Sequence, residues 1–160
     1  MPMPYAHYVG DRDPAGLLIP TLDDYRTACA RLSDAQWNQP WQPGKWTVRQ
    51  IMVHVAQWEM IFGYRTTCAV SMKEFAIQGA DQDALMARTA LIDGPTALAA
   101  FEGARRMNAG LIQSLSATDR AVAIKHPEYG TITVNDIIVQ IVGHGMHHLP
   151  QIQATASATR

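Results

Sequence analysis

Apolar residues recur at spacings of three and four along most of this chain, and that period constrains its fold more than any other feature. The predicted helices run from about Thr21 to Ser33, from Thr47 to about Met72, from Ala84 to Ala90, from Pro95 to Leu115, and from Thr133 past Gln151. Four of these segments are long enough to surround one core. The sequence therefore predicts an all-α protein built as a four-helix bundle.

Capping residues set the starts of the long helices. Thr47 is followed three positions later by Gln50, and Thr133 by Asp136, which is the pattern of a capping box. Thr21 has a hydroxyl that can cap the first helix. The β-branched run 132–134 is compatible with a strand, but its capping pattern and helical continuation favour a helix start. We therefore expect no sheet.

The connection between the second and third long helices determines the topology. It spans roughly 20 residues, whereas neighbouring antiparallel helices need only a short loop. A connection of this length can cross the bundle, so we expect one crossover rather than a simple up-down-up-down arrangement. Pro150 lacks a backbone N–H and is expected to bend or loosen the last helix.

Composition excludes several classes of protein. Of the 160 residues 48% are hydrophobic and 17% charged, which fits one folded domain over residues 1–160. The 13 basic and 14 acidic residues are scattered, so we expect neither a nucleic-acid nor a membrane partner. No apolar run reaches the ~18 residues of a membrane span. Residues 1–10 lack signal-peptide features, and Cys29 and Cys68 match no redox or metal spacing, so we expect the cytoplasm.

Three of the six histidines lie within five residues near the end of the chain. On a helical wheel His144 and His148 fall on an otherwise apolar stripe, while His147 falls on the polar side. Imidazoles at positions i and i+4 can bind one metal ion with little strain. His54 also lies on a largely apolar stripe, in the second long helix, and is the expected third ligand.

A structural role is the alternative for each histidine. A single histidine in a core is more often hydrogen-bonded than metal-bound, and buried imidazoles without a partner are costly. Either a metal ion or buried carboxylates would remove that cost. The core-facing positions that can be assigned from the sequence offer no acidic group. His7 and His126 have no helical partner and are assigned to the surface or to loops.

The segment 43–54, which reads PGKWTVRQIMVH, resembles the second-helix signature of the DinB-like family of metal-dependent enzymes. Segment 144–152 is similar to the final helix of that family, and the loop 126–130 coincides with its Pro/Gly loop. The resemblance spans residues 17–155. It implies an up-down-down-up four-helix bundle, one divalent metal held by three histidines, and often a homodimer.

Carried onto this chain, the resemblance assigns the metal ligands to His54, His144 and His148. The chain departs from one branch of the family at Leu149 and Pro150, which replace Gly and Arg, and Gly145 leaves no carboxylate beside the first ligand of the pair. Three imidazoles suit several divalent transition metals, of which we expect zinc or nickel.

Three functions follow from the resemblance. Characterised relatives use low-molecular-weight thiols such as bacillithiol or mycothiol, which implies a thiol S-transferase or a related isomerase with a metal-activated thiolate. A metal-dependent hydrolase is the second function, for which His147 or Glu59 could be the general base. The third is a non-catalytic, stress-related metal-binding protein, whose site a fourth ligand would close.

A small-molecule substrate, for which such a thiol is a candidate, requires a pocket beside the metal. The candidates for its wall are Trp46, Trp58, Tyr64 and Arg65. Ordinary packing in the core or in a loop is the alternative explanation for each of the aromatic residues.

Overall fold

A computed structural model describes residues 3–157. In chain order its elements are α1 (Ala6–Val9), a 3-10 turn (Pro14–Leu17), α2 (Leu18–Cys29), α3 (Asp34–Trp37), α4 (Val48–Ser71), α5 (Gln82–Met86), α6 (Gly94–Ser114), α7 (Ala117–Arg120), β1 (Ala123–His126), β2 (Gly130–Thr133) and α8 (Val134–Ser157). The four long helices α2, α4, α6 and α8 confirm the predicted bundle. The assignment of 1–160 to one domain stays a prediction, and residues 1–2 and 158–160 lie outside the described part.

Helices α4 and α6 run in the same direction. Arg49, at the start of α4, donates to the carbonyl of Ile92, just before α6. Farther along both helices, Gly63 packs closely against Asn108. A parallel pair needs a connection that returns along the whole length of the bundle, which residues 72–93 provide. The predicted crossover is therefore present.

Two other pairs of packed helices, α4 with α8 and α2 with α6, run in opposite directions. Contacting residues follow opposite orders along α4 and α8, and along α2 and α6. These pairs are His54 with His148, Phe62 with His144, Leu18 with Arg105, and Tyr25 with Phe101. Together with the parallel α4–α6 pair, they give the up-down-down-up arrangement.

The two predicted capping boxes are present. The Thr47 hydroxyl accepts from the Gln50 backbone N–H, and the Gln50 side chain accepts from the Thr47 N–H. At the start of α8 the Asp136 carboxylate accepts from the Thr133 N–H at 2.7 Å. These caps satisfy N–H groups that have no partner inside a helix. Helix α8 continues through Pro150 to Ser157.

The start of α2 differs from the prediction. The helix begins at Leu18, directly after a 3-10 turn that Asp13 caps by accepting from the Ala15 N–H. Thr21 therefore lies inside the helix, where its hydroxyl donates to the carbonyl of Leu17. The short helix α5 is also earlier than predicted, because the Asp81 carboxylate caps it at Gln82–Met86.

The expectation that the chain has no sheet is wrong. Strands β1 and β2 pair antiparallel, with Ile124 opposite Ile132. Both isoleucines are buried and stabilise the pair by packing on the bundle. Gly130, at the turn, has a φ of 72°, which glycine adopts without the strain of a side chain. The crossover segment joins this hairpin through a hydrogen bond from the Ile77 N–H to the Lys125 carbonyl.

Two further expectations concern the cysteines and the membrane. Cys29 and Cys68 are both buried and free. Burial raises the pKa of the Cys29 thiol to about 12. Within residues 3–157 no helix combines the length and the apolar character needed to cross a membrane.

Candidate metal centre

The three histidines predicted from the helical wheel lie together in the bundle interior. Helix α4 contributes His54, and α8 contributes His144 and His148 from successive turns. One ligand atom from each lies within 4.8 Å of the others. Each side chain is at most 7% exposed. The antiparallel packing of α4 on α8 is what brings the single histidine opposite the pair.

The spacing of the ring nitrogens matches a cluster that can close on an ion. The Nε2 atoms of His54 and His144 lie 2.9 Å apart. Two nitrogens bound to one tetrahedral zinc ion at 2.0–2.1 Å would be about 3.3 Å apart. A shift of a few tenths of an ångström separates these two spacings, so the His54–His144 pair fits a divalent ion, and the ligand atom of His148 lies within 4.8 Å of both.

Burial keeps the three imidazoles neutral. Burial, together with the neighbouring His148 and His147, lowers the pKa of His54 to about 3, and burial lowers that of His148 to about 4. Burial also lowers the pKa of His144 well below its ordinary value. Neutral imidazoles keep a nitrogen lone pair near neutral pH, which is the form that binds metals.

Gln151 orients one of the three rings. Its Oε1 atom lies 2.9 Å from Nδ1 of His148, so a proton on Nδ1 leaves the Nε2 lone pair of His148 free. Hydrogen bonds of this kind fix the tautomer and orientation of metal-binding histidines. The sequence alone did not reveal this contact, although the i+3 spacing of Gln151 from His148 is the available signal.

The N-terminal segment covers the other side of α8 and engages His147. The Tyr8 hydroxyl lies 2.9 Å from Nδ1 of His147, and the Tyr5 ring contacts both His144 and His147. Gly143 permits this approach, because a Cβ there would lie 2.6 Å from the Tyr5 carbonyl oxygen. No local pattern in the sequence indicates this contact between the two ends of the chain.

A cavity of about 170 Å³ opens beside the histidines. Its lining residues come from α4, α8, the N-terminal segment, the crossover and the hairpin turn. They are Pro4, Tyr5, His54, Trp58, Phe62, Arg65, Gly79, Ala80, Gln82, His126, Glu128, Tyr129, Gln140 and His144. The cavity thus contains two of the three clustered histidines.

The predicted wall residues divide among three places. Trp58 and Arg65 line this cavity. The ring centre of Trp46 lies 5.0 Å from that of His54. Trp46 lines a second cavity of about 300 Å³, together with His148 and Gln151. Tyr64 is 64% exposed and lines neither of these cavities.

Neither predicted general base lines either cavity. The Glu59 carboxylate is 2% exposed and accepts 2.8 Å hydrogen bonds from Arg105 and from Asn108. Its partners are on α6, which the wheel of α4 alone could not show. His147 is turned toward Tyr8. His126, to which the sequence assigned no role, does line the first cavity, with Glu128 beside it.

The comparison with protein families identifies the chain. A family model described as the DinB superfamily matches residues 18–152. The chain belongs to the DinB superfamily. An Oceanobacillus iheyensis protein named "putative metal-dependent hydrolase" is 30% identical over 123 residues, which cover 76% of this chain and 71% of that protein. A Bacillus licheniformis protein of the same description is 27% identical over 150 residues, 92% of this chain and 82% of that one.

Solved structures show that this DinB superfamily member shares its fold with known proteins. YfiT from Bacillus subtilis, described as a probable metal-dependent hydrolase with an unusual four-helix bundle topology, matches with a TM-score of 0.79 at 23% identity, covering 89% of this chain and 83% of YfiT. A mycothiol-dependent maleylpyruvate isomerase matches with a TM-score of 0.74 at 11% identity, covering 92% of this chain and 62% of the isomerase.

Proposed function

We propose that this DinB superfamily protein is a metal-dependent enzyme in which His54, His144 and His148 hold one divalent transition metal, zinc or nickel. The observation that carries the proposal is the cluster itself: three buried, neutral imidazoles whose ligand atoms lie within 4.8 Å of one another. Without a metal, their burial would bring little benefit to offset its cost.

The number of ligands supports catalysis over a purely structural role. Among the described residues the cluster contains three potential ligands, whereas structural zinc sites usually have four. A bound ion with an open position supplies Lewis acidity, which lowers the pKa of a thiol or water there. The rings of Trp58 and Phe62 in the cavity wall would limit the access of solvent to such a position.

The first reaction that we propose is transfer of a thiol to a small molecule, or a related thiol-dependent isomerisation. A thiol activated by the ion needs no protein group to remove its proton at neutral pH. This agrees with the positions of Glu59 and His147, which do not reach the cavity. A solved structure of the same fold is a mycothiol-dependent isomerase, which supports a low-molecular-weight thiol as the substrate.

Metal-dependent hydrolysis is the second candidate, and one observation favours it. His126 and Glu128 line the same cavity as His54 and His144. Either side chain could take a proton from a water molecule in the cavity. The names of the sequence relatives also describe hydrolases.

Metal analysis of purified protein tests the site. We expect one divalent ion per chain, lost in His144→Ala and retained in His147→Ala, since His147 is adjacent in sequence but faces Tyr8. Equal metal content in the two variants would contradict the proposed ligands. A fourth protein ligand in the spectrum of the cobalt-substituted protein would support the non-catalytic, stress-related alternative instead.

Activity assays separate the two reactions. We expect the metal-loaded protein to conjugate a low-molecular-weight thiol to an electrophile, and the metal-free protein to be inactive. Hydrolysis of esters or amides without added thiol, abolished by Glu128→Gln or His126→Asn, would replace thiol transfer by the second candidate.

Two further proposals concern the cellular setting and the assembly. The free, buried Cys29 and Cys68 are compatible with a reducing compartment, so we place the protein in the cytoplasm. We also propose a homodimer, as expected from the family resemblance. Sedimentation of the purified protein measures the latter directly.

A further inference from the structure

Arg65 is a buried cation without a carboxylate partner. Its side chain belongs to a residue that is only 6% exposed, and among the described residues it makes no ion pair within 4.0 Å. The Nη2 group of Arg65 donates a 2.9 Å hydrogen bond to the carbonyl oxygen of Gln78. By contrast, the fully buried Arg105 is paired with Glu59 at 2.8 Å. A buried charge is costly unless something compensates it, so Arg65 requires an explanation.

The guanidinium is held in place by aromatic rings of the cavity wall. Its central carbon lies 5.5 Å from the ring centre of Trp58 and 5.8 Å from that of Phe62. A cation over these faces is stabilised by the aromatic rings. The guanidinium also presents paired N–H groups, which match the two oxygens of a carboxylate.

The same rings connect Arg65 to the histidine cluster. The ring centre of Trp58 lies 6.2 Å from that of His54, and the ring centre of Phe62 lies 5.9 Å from that of His144. One ring therefore separates the guanidinium from the cluster along either path. A small molecule can touch the cation with one end and the histidines with the other.

The remaining charges of the cavity compensate Arg65 only in part. Glu128 supplies the carboxylate in the lining, but it is an exposed residue of the hairpin turn and no ion pair joins it to Arg65. His126 ends β1 directly before this turn, and burial lowers its pKa, with the charge of Arg65 acting in the same direction and that of Glu128 opposing it. Burial lowers the pKa of Arg65 and the charge of Glu128 only partly offsets this effect, so the positive charge in the inner part of the cavity is incompletely compensated.

We propose that Arg65 binds the carboxylate of a small organic acid whose reacting end lies at the three histidines. This inference deepens the proposed function and rests on it for the identity of the reacting end. The cavity volume of about 170 Å³ is below that of pockets for drug-sized ligands, which supports a short, acyclic acid. The carboxylate could belong to the thiol or to the molecule that accepts it.

Binding of paired probes to metal-free protein tests the role of Arg65 without using the metal. Hexanoate and hexanamide have the same length and differ in charge. We expect the wild-type protein to bind hexanoate about tenfold more tightly in an NMR titration, as for a charge-assisted hydrogen bond. Arg65→Gln should remove this preference and leave the weak binding of hexanamide unchanged, and Arg65→Lys should retain part of it.

Arg106→Gln is the matched control, because Arg106 is an exposed arginine on α6. It should keep the full preference for hexanoate. Equal affinity of wild-type protein for the acid and the amide would overturn the inference. Equal losses of both probes in Arg65→Gln, with a changed thermal midpoint, would also overturn it, since they would indicate a structural role.

Cobalt-loaded protein then tests the alignment with the histidines. Wild-type protein should bind 6-mercaptohexanoate at least tenfold more tightly than 6-mercaptohexanamide, with the same change in the cobalt spectrum for both thiols. If cobalt does not bind, the proposed function fails, while the metal-free titrations still decide the role of Arg65. If neither the cobalt-loaded nor the metal-free protein prefers the acid, Arg65 does not bind the carboxylate of a ligand.

Two further comparisons identify which molecule has the carboxylate. Arg65→Gln should weaken the binding of N-acetylcysteine relative to that of N-acetylcysteamine, or the binding of fumarate relative to that of fumaramide. The first result assigns the carboxylate to the thiol, and the second assigns it to the acceptor. Each supports the inference, whereas indifference of both pairs to the substitution contradicts it.

Discussion

The Nδ1 atom of His148 and the Oε1 atom of Gln151 lie 2.9 Å apart, nearly one helical turn along α8. Because an amide oxygen can only accept, the proton of the imidazole lies on Nδ1 and the lone pair on Nε2. Gln151 thereby determines which ring nitrogen of His148 is available to bind a metal ion.

Replacing Gln151 by leucine is expected to weaken metal binding about 10–100-fold, the usual effect of losing such an outer hydrogen bond. Competition with a chelator of known affinity measures the change. Gln153, two positions later and exposed, provides the control, because Gln153→Leu should leave the affinity unaltered. If both variants bind the metal like the wild type, the hydrogen bond has no role in holding it.

The buried Glu59–Arg105 pair is expected to stabilise the fold without taking part in the reaction. Arg105 also donates to the carbonyls of Leu18 and Ile141, so it links all four long helices. Glu59→Ala leaves this guanidinium uncompensated and should lower the free energy of unfolding by about 3–5 kcal/mol. Urea denaturation measures the loss.

An exposed ion pair serves as the control for that substitution. Glu102 pairs with Arg26 at 3.2 Å on the surface, and Glu102→Ala should cost less than about 1 kcal/mol. Without urea, at a temperature where Glu59→Gln remains folded, the activity of this variant per folded molecule should match that of the wild type. A large loss of turnover in folded protein would restore Glu59 as a general base.

The metal-free protein is expected to lose stability as the pH falls below about 6.5. In the unfolded chain His54 and His148 take up protons near that pH, but in the folded chain burial delays uptake to about 3 and about 4. Between these values the unfolded state binds more protons, so the free energy of unfolding rises with pH and falls in acid.

Chemical denaturation of chelator-treated protein between about pH 4.5 and pH 7.5, a range that includes the ordinary pKa of histidine, measures this slope. His148→Leu should reduce the slope, because it removes one of the groups that cause it. A slope that is identical in the variant would show that other groups dominate the acid sensitivity.

Gly143 is expected to tolerate no side chain. A Cβ at this position would clash with the backbone of Tyr5, which already has a positive φ of 63°. Gly143→Ala should therefore displace the N-terminal segment and cost about 1–3 kcal/mol, as overpacking does. Hydrogen exchange of residues 5–9 should increase, and thermal unfolding reports the overall loss.

Gly110→Ala provides the opposite case. Gly110 lies inside α6 with nothing within 4 Å of its Cβ position, so alanine there should stabilise the helix by about 0.5–1 kcal/mol. Equal effects of the two substitutions would show that Tyr5 does not pack on Gly143 in solution.

The helical period predicted the main features because they are encoded locally. The i, i+4 spacing of His144 and His148 places both on one face of α8, and an apolar stripe around His54 directs it to the same core. Threonine caps likewise located the starts of α4 and α8. Each of these signals lies within a few residues of the feature that it predicts.

The features that the sequence did not reveal depend on contacts between distant segments. Tyr8 meets His147 across 139 positions, and Arg105 meets Glu59 from another helix. The hairpin was missed for a different reason: its strands have four residues each, and the second leads directly into the capped start of α8. A run that short cannot establish a period of two.

The crossover between α4 and α6 has a consequence for how proteins of this architecture can diversify. It returns along the bundle because the two helices are parallel, and on its way Gly79, Ala80 and Gln82 form part of the cavity wall. The histidine cluster, in contrast, is supplied by α4 and α8 alone. Changes in this connection can therefore alter which molecules enter while the chemistry at the histidines is inherited intact.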